Sequence, residues 1–165
     1  MSKVFGYPEY DEKGEKILTT YDNECKAMMM DIRVYRMKSG ETRTFLREGE
    51  ETAVLLLSGN ITYKWNGNEA AATRKDVFTE GPWCVHGCTG TEITVVANAE
   101  SQILVQCTKN EKDFGAKLYK PEDAPWGYSC VGKFGNVAKR RVNTIFDHDI
   151  SPESNMVLGE VLNDR

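Results

Sequence analysis

Long apolar runs are missing from this 165-residue chain: the longest, Ala53 to Leu57, is far too short to cross a bilayer. The N-terminal stretch MSKVFGYPEYDEKGE is polar and acidic and lacks the apolar core of a signal peptide, which predicts a cytoplasmic protein. A surplus of positive charge is missing too. With 21 Lys and Arg against 25 Asp and Glu the net charge is −4, so nothing draws the chain to nucleic acid or an anionic membrane. Cysteines are few, odd in number and scattered (Cys25, Cys84, Cys88, Cys107 and Cys130), which argues for free thiols in a reducing compartment. The sequon Asn60-Ile61-Thr62 is then a chance match, because glycosylation needs the secretory route.

Helical periodicity is also absent between Ile17 and Thr108. What stands there instead is a series of short β-branched or aromatic stretches cut by Gly, Asn or charged turns, the texture of an all-β sandwich or barrel of eight or more strands. Met30, Ile32 and Val34 alternate with Asp31, Arg33 and Tyr35, so the two faces of that strand meet different surroundings. Ala53 to Leu57 is apolar on both faces and predicts a central strand. A turn is expected at Ser58-Gly59-Asn60, then a strand through Ile61, Tyr63 and Trp65, closed by Asn66-Gly67-Asn68. Val77-Phe78, Trp83 to His86, Glu92 to Ala97 and Gln102 to Thr108 supply further strands. After Lys109 the charged, Pro-containing stretch KNEKDFGAKLYKPEDAPWG reads as loop or short helix. Strands are expected again over Val137 to Phe146 and Met156 to Leu162, the last stopping at Asp164-Arg165 as though the chain once continued.

The segment from Gly40 to Gly59 resembles the first cupin motif, G-x5-H-x-H-x3-E-x6-G, whose histidines and glutamate bind a divalent metal inside a β-barrel. The spacing survives, but Leu46, Glu48 and Thr52 stand at the ligand positions. The second motif, P-x-G-x-x-H, falls on Cys88-Thr89-Gly90-Thr91-Glu92-Ile93 and puts Ile93 at the fourth position. One carboxylate among leucine, threonine and isoleucine lacks the three or four donors a catalytic metal requires, so no metal is expected in this barrel. Four other features carry possible chemistry. Cys84, His86 and Cys88 form a C-x-H-x-C run whose alternation would share one strand face; packing in the barrel wall is the plainer reading. His148 lies in Asp147-His148-Asp149, most simply a solvated turn. Lys139-Arg140-Arg141 could hold an anion, although short basic runs are ordinarily solvated strand edges. Tyr63, Trp65 and Trp83 could stack on a sugar, although strand aromatics usually pack in cores.

The segments ETAVLLLSGNITYKWNG, RKDVFTEGPW, TEITVVANAESQILVQCTK and GKFGNVAKRRVNTIFDHDISPESNMVLGEVLNDR resemble the 5-deoxy-glucuronate isomerases of myo-inositol catabolism, relatives of the 4-deoxy-5-keto-uronate isomerases of pectin breakdown. The resemblance implies a bicupin whose first jelly roll has lost its metal and whose second carries a histidine-rich site. In the complete enzyme the metal would polarise a carbonyl while a base moves a proton, interconverting aldose and ketose. By this resemblance residues 1–120 form the metal-free cupin and residues 121–165 the linker and opening strands of the second. The chain then supplies non-catalytic scaffold, and a divalent metal is expected only in the other half. The alternatives are a metal-free sugar-acid-binding cupin, using Glu48, Tyr63, Trp83 or His86 in the barrel mouth, and a dimerisation module. A small sugar acid and a homo-oligomer are the expected partners.

Overall fold

The computed structural model describes residues 8–163; Asp164-Arg165 and residues 1–7, within the polar N-terminal stretch read above, lie outside the described residues. Twelve strands account for most of its regular structure: β1 (Glu15–Thr19), β2 (Met30–Met37), β3 (Thr42–Phe45), β4 (Glu50–Trp65), β5 (Asn68–Arg74), β6 (Trp83–Gly87), β7 (Ile93–Ala97), β8 (Ser101–Lys109), β9 (Ala116–Tyr119), β10 (Gly127–Ser129), β11 (Arg140–Phe146) and β12 (Leu158–Leu162). No helix among the described residues is long and apolar enough to cross a membrane.

The first layer runs β1-β2-β8-β4-β6-β9, all antiparallel. The second runs β3-β7-β4-β5. The long strand β4 belongs to both. Its first part, Glu50 to Ser58, pairs with β6 and β8, and from Gly59 to Trp65 it pairs with β5 and β7. The turn expected at Ser58-Gly59-Asn60 is therefore a bend within one continuous strand. Its cause is local: Gly59 has φ +114°, and a Cβ there would come within 2.6 Å of the Ser101 Cα, while the ladder to β8 slips between Leu56 and Ser58. The true hairpin is β4–β5, closed by Asn66 and Gly67, both at positive φ (45° and 77°). The two layers close on each other as a cupin-like jelly roll, as the resemblance implied.

Side chains alternate across this wall. Val54, Leu56, Ile61, Tyr63, Val85, Ile93, Val95, Ile103 and Val105 fill the interior of the roll. Each such burial contributes about 1.5–3 kcal/mol, so the roll needs no disulfide, and all five cysteines are free. On β2 the residues that enter this core are Tyr35 and Met37, whereas Met30 packs on the opposite side. That side is covered as well. Ala53, Leu55, Cys84 and Tyr119 form a second core with Ile145, Phe146, Met156 and Leu158, contributed by and around a three-stranded sheet β10-β11-β12. Ala53 to Leu57 is thus a central strand buried on both faces, which is why it reads as an unbroken apolar run.

Three expected elements change. Val77-Phe78 is a turn, because the Asp76 carboxylate accepts hydrogen bonds from the Phe78 and Thr79 amides and the Thr79 hydroxyl. The charged stretch after Lys109 contains the edge strand β9, paired with β6. The strand expected from Val137 begins only at Arg140, since Lys133–Asn136 and its flank hold positive φ at Phe134 and Asn136.

Candidate functional site

Two polar centres lie on opposite sides of the β4–β6 wall. The first is the mouth of the roll. The β3 alternation continues past the strand, so Arg43 and Phe45 turn inward against the Tyr35 ring, at 4.7 Å and 5.5 Å, and Arg47 follows them. Arg47 approaches Asp31 at 3.6 Å and Glu50 at 4.0 Å, two carboxylates that are both 5% exposed. Arg33 pairs with Asp31 at 2.7 Å, and Lys109 with Glu50 at 2.6 Å. Beside them, burial and the Glu50 charge push the Tyr21 hydroxyl well above its ordinary pKa.

This geometry corrects the motif register. Leu46 is 51% exposed and Glu48 is exposed beside Gly90, so neither faces the interior; Phe45 and Arg47 hold those inward places. A one-residue offset reverses every side chain of a strand, and glycine spacing alone does not fix it. Thr52 and Ile93 do face inward; the Thr52 hydroxyl lies 3.5 Å from the Cys107 thiol. A divalent metal does not fit this donor set. Phe45 and Ile93 offer no donor, Thr52 offers a neutral hydroxyl, and Arg47 brings a cation to the place. Among the described residues no three His, Cys, Asp or Glu side chains gather as a metal-binding group.

The second centre lies outside the roll, under the C-terminal sheet. His86 and Glu51 project from β6 and β4 to the outer face, 1% and 0% exposed, with Nε2 to Oε2 at 3.0 Å. The other Glu51 oxygen accepts the Asn155 amide at 2.7 Å. The imidazole stacks on Phe146 (centroids 4.1 Å, planes 4° apart) and meets Phe114 at 5.0 Å. It lines a cleft of about 200 Å³ with Lys117, Tyr119, Ser151 and Glu153. Nearby, Arg74 uses every guanidinium N–H. It grips both Glu160 oxygens at 2.7 Å and donates to the carbonyls of Leu56 and Glu80. Asn143 also donates to Glu160, so β5 of the roll is tied to β11 and β12.

The four residues expected at a barrel-mouth binding site are not brought together. Tyr63 is fully buried, its one hydroxyl hydrogen shared between the carbonyls of Val54 and Trp83, each at 3.1 Å, and burial pushes its pKa well up. Trp83 is half-buried against the same core, Glu48 is at the surface, and His86 faces the other way. Cys84 shares the face of His86, but Cys88 follows the strand end and its thiol reaches Asp113 at 3.2 Å. His148 sits in an exposed turn organised by Asp147. In the basic run, Arg141 stacks over Trp126 at 3.8 Å and donates to the Val77 carbonyl. Reasoning from sequence missed Glu51, Arg74 and Glu160. The available signal was a charged residue in phase with the apolar positions: Glu51 with Ala53 and Leu55, and Glu160 with Leu158.

Among solved structures the fold is similar to an IolB-like protein from Salmonella typhimurium LT2, with 17% identity, TM-score 0.64, 73% of this chain covered and 45% of that one. It is also similar to protein Ylba from E. coli, with 17% identity, TM-score 0.55, and coverage of 92% and 64%. The chain thus spans less than two thirds of the length of either. No curated protein sequence matches it. One family model, described as the KduI/IolB family, matches residues 6–165, nearly the whole length, and the chain therefore belongs to the KduI/IolB family.

Proposed function

We propose that these 165 residues form the metal-free scaffold barrel of a uronate isomerase-like enzyme, with the aldose–ketose chemistry carried by a second cupin outside this sequence. The observation that supports this reading is the mouth of the roll. Where an active cupin presents imidazoles, this wall presents Phe45, Arg47, Thr52 and Ile93, and Arg47 is engaged with Asp31 and Glu50. By this reading residues 1–120 are the barrel, and β10 to β12 belong to the passage into the second unit. Inositol catabolism, a sugar-acid substrate and a homo-oligomer belong to the same proposal. So does a cytoplasmic location, which suits five free thiols.

The test is turnover. The 165-residue chain, given a 5-deoxy-glucuronate or a 4-deoxy-5-keto-uronate together with Zn²⁺, Mn²⁺ or Fe²⁺, is expected to convert neither. Conversion by this chain alone overturns the assignment. A His-x-His-x4-Glu run in the reading frame downstream of Arg165 would supply the missing ligands.

A further inference from the structure

The cleft on the outer face holds two hydrogen-bonding groups that the protein leaves unspent. The first is on His86. Glu51 engages Nε2, and its second oxygen is fixed by the Asn155 amide, so the carboxylate is held as an acceptor and orients the ring with Nε2–H towards it. That tautomer leaves a lone pair on Nδ1, which has no hydrogen-bond partner among the described residues. Stacking on Phe146 keeps the ring from turning away. The second group is Lys117. Its ammonium lies over the Tyr119 ring at 4.5 Å, and no carboxylate pairs with it among the described residues. Among the described residues the acid that lines the cleft, Glu153, is taken by Lys112 at 3.0 Å.

His86, with its acceptor nitrogen, the Lys117 cation and the Phe114 ring all line this one cleft, and together they define a ligand. It carries a hydroxyl and a carboxylate on a short carbon chain. The volume, about 200 Å³, lies below the roughly 300 Å³ at which drug-sized pockets begin, so the ligand is no larger than a monosaccharide. We propose that this cleft binds a small hydroxy-carboxylate, whose hydroxyl donates to His86 Nδ1 and whose carboxylate pairs with Lys117. The assignment goes beyond the scaffold role and does not depend on it. It places a ligand on the outside of the roll, between the β4–β6 wall and the segment around Ser151, where occupancy would brace the C-terminal sheet against the barrel.

The experiment is an NMR titration of the isotope-labelled 165-residue chain with D-gluconate, D-glucose and acetate. Gluconate is expected to shift the His86 ring nitrogen and the amides of Phe114, Lys117 and Ser151, with a dissociation constant of about a millimolar. Glucose lacks the carboxylate and acetate lacks the hydroxyl, so each should bind about tenfold more weakly. Lys117→Met alters an exposed side chain and leaves the core intact. It should weaken gluconate about tenfold and leave glucose unchanged. Absence of shifts at these residues with gluconate up to about 50 mM, far above a millimolar constant, overturns the assignment. So does equal binding of acetate and gluconate, or gluconate affinity untouched in Lys117→Met. Each result stands apart from the turnover assay, which reads the chemistry of the uronates and not this cleft.

Discussion

The two faces of the layer β1-β2-β8-β4-β6-β9 differ in what they bury. The inner face meets the other layer of the roll through aliphatic and aromatic side chains, and its charges are confined to the mouth, where Arg33, Arg47 and Lys109 neutralise Asp31 and Glu50. The outer face meets the C-terminal sheet and carries polar pairs of fixed geometry: the Glu51 carboxylate with the His86 imidazole, and alongside it the ion pair of Arg74 with Glu160. Apolar contacts are non-directional, so the inner face can be sealed by any side chains of suitable volume. Buried ions demand one geometry, because each unmatched donor or acceptor is costly. The outer face therefore fixes how the C-terminal sheet sits on the roll. The inner face supplies the stability that makes the roll fold.

Removing one ion from the outer face is the severest way to break this contrast. In Arg74→Met, Glu160 keeps Asn143 alone as a side-chain partner among the described residues, in a buried site, and the expected loss is about 3–5 kcal/mol. Replacing both partners, as Arg74→Met with Glu160→Met, should restore most of that loss, because no uncompensated charge remains. Urea unfolding of the two variants measures the difference. If the double variant is as unstable as the single one, the specificity assigned to the outer face belongs to packing instead.

The inner face is tested by alkali. Burial raises the Cys107 thiol from its ordinary 9.0 to about 11, outweighing the Thr52 hydrogen bond and the Arg47 charge that lower it. The folded chain thus keeps Cys107 neutral while the unfolded chain ionises it. The stabilisation this represents, roughly 2–3 kcal/mol, is complete below about pH 9 and is lost as the pH rises to about 11. The urea midpoint of wild type should fall over that window, and that of Cys107→Ala should fall less. Parallel curves would show that the thiol is reached by solvent. Cys84, wholly buried on the outer face, is raised by burial in the same sense.

The contrast also shows what the sequence makes legible. Period-two alternation reveals strands, and the unbroken apolar run of Ala53 to Leu57 reveals a wall covered on both faces. Which alternate face enters the roll is not legible when both are covered, so Met30 could not be distinguished from Tyr35. The bend at Gly59 looks like a turn because glycine permits both, and only the nearness of Ser101 on β8 decides between them. Glu51, Arg74 and Glu160 are far apart in the chain: the phase of Glu51 and Glu160 with neighbouring apolar positions marks them as buried, but which charge each one meets is set only by folding. The resemblance supplied the family, while the direction of each side chain at the mouth required the backbone.

The smallest effect concerns that direction. Phe45 and Leu46 are neighbours of similar character, and the motif spacing marks Leu46 as inward, whereas the fold packs Phe45 on Tyr35 and leaves Leu46 half in solvent. Leu46→Ser should change stability by about 0.5 kcal/mol or less, as expected of an exposed position. Phe45→Ser removes a partly buried ring and should cost about 2 kcal/mol, lower than a fully enclosed phenylalanine because one side of the site is open. Thermal unfolding of the pair gives the comparison in one experiment. The reverse order, with Leu46→Ser the more damaging, would shift the register of the mouth by one residue. It would return Leu46 and Glu48 to the interior and remove Arg47 from the place where it now stands against a metal.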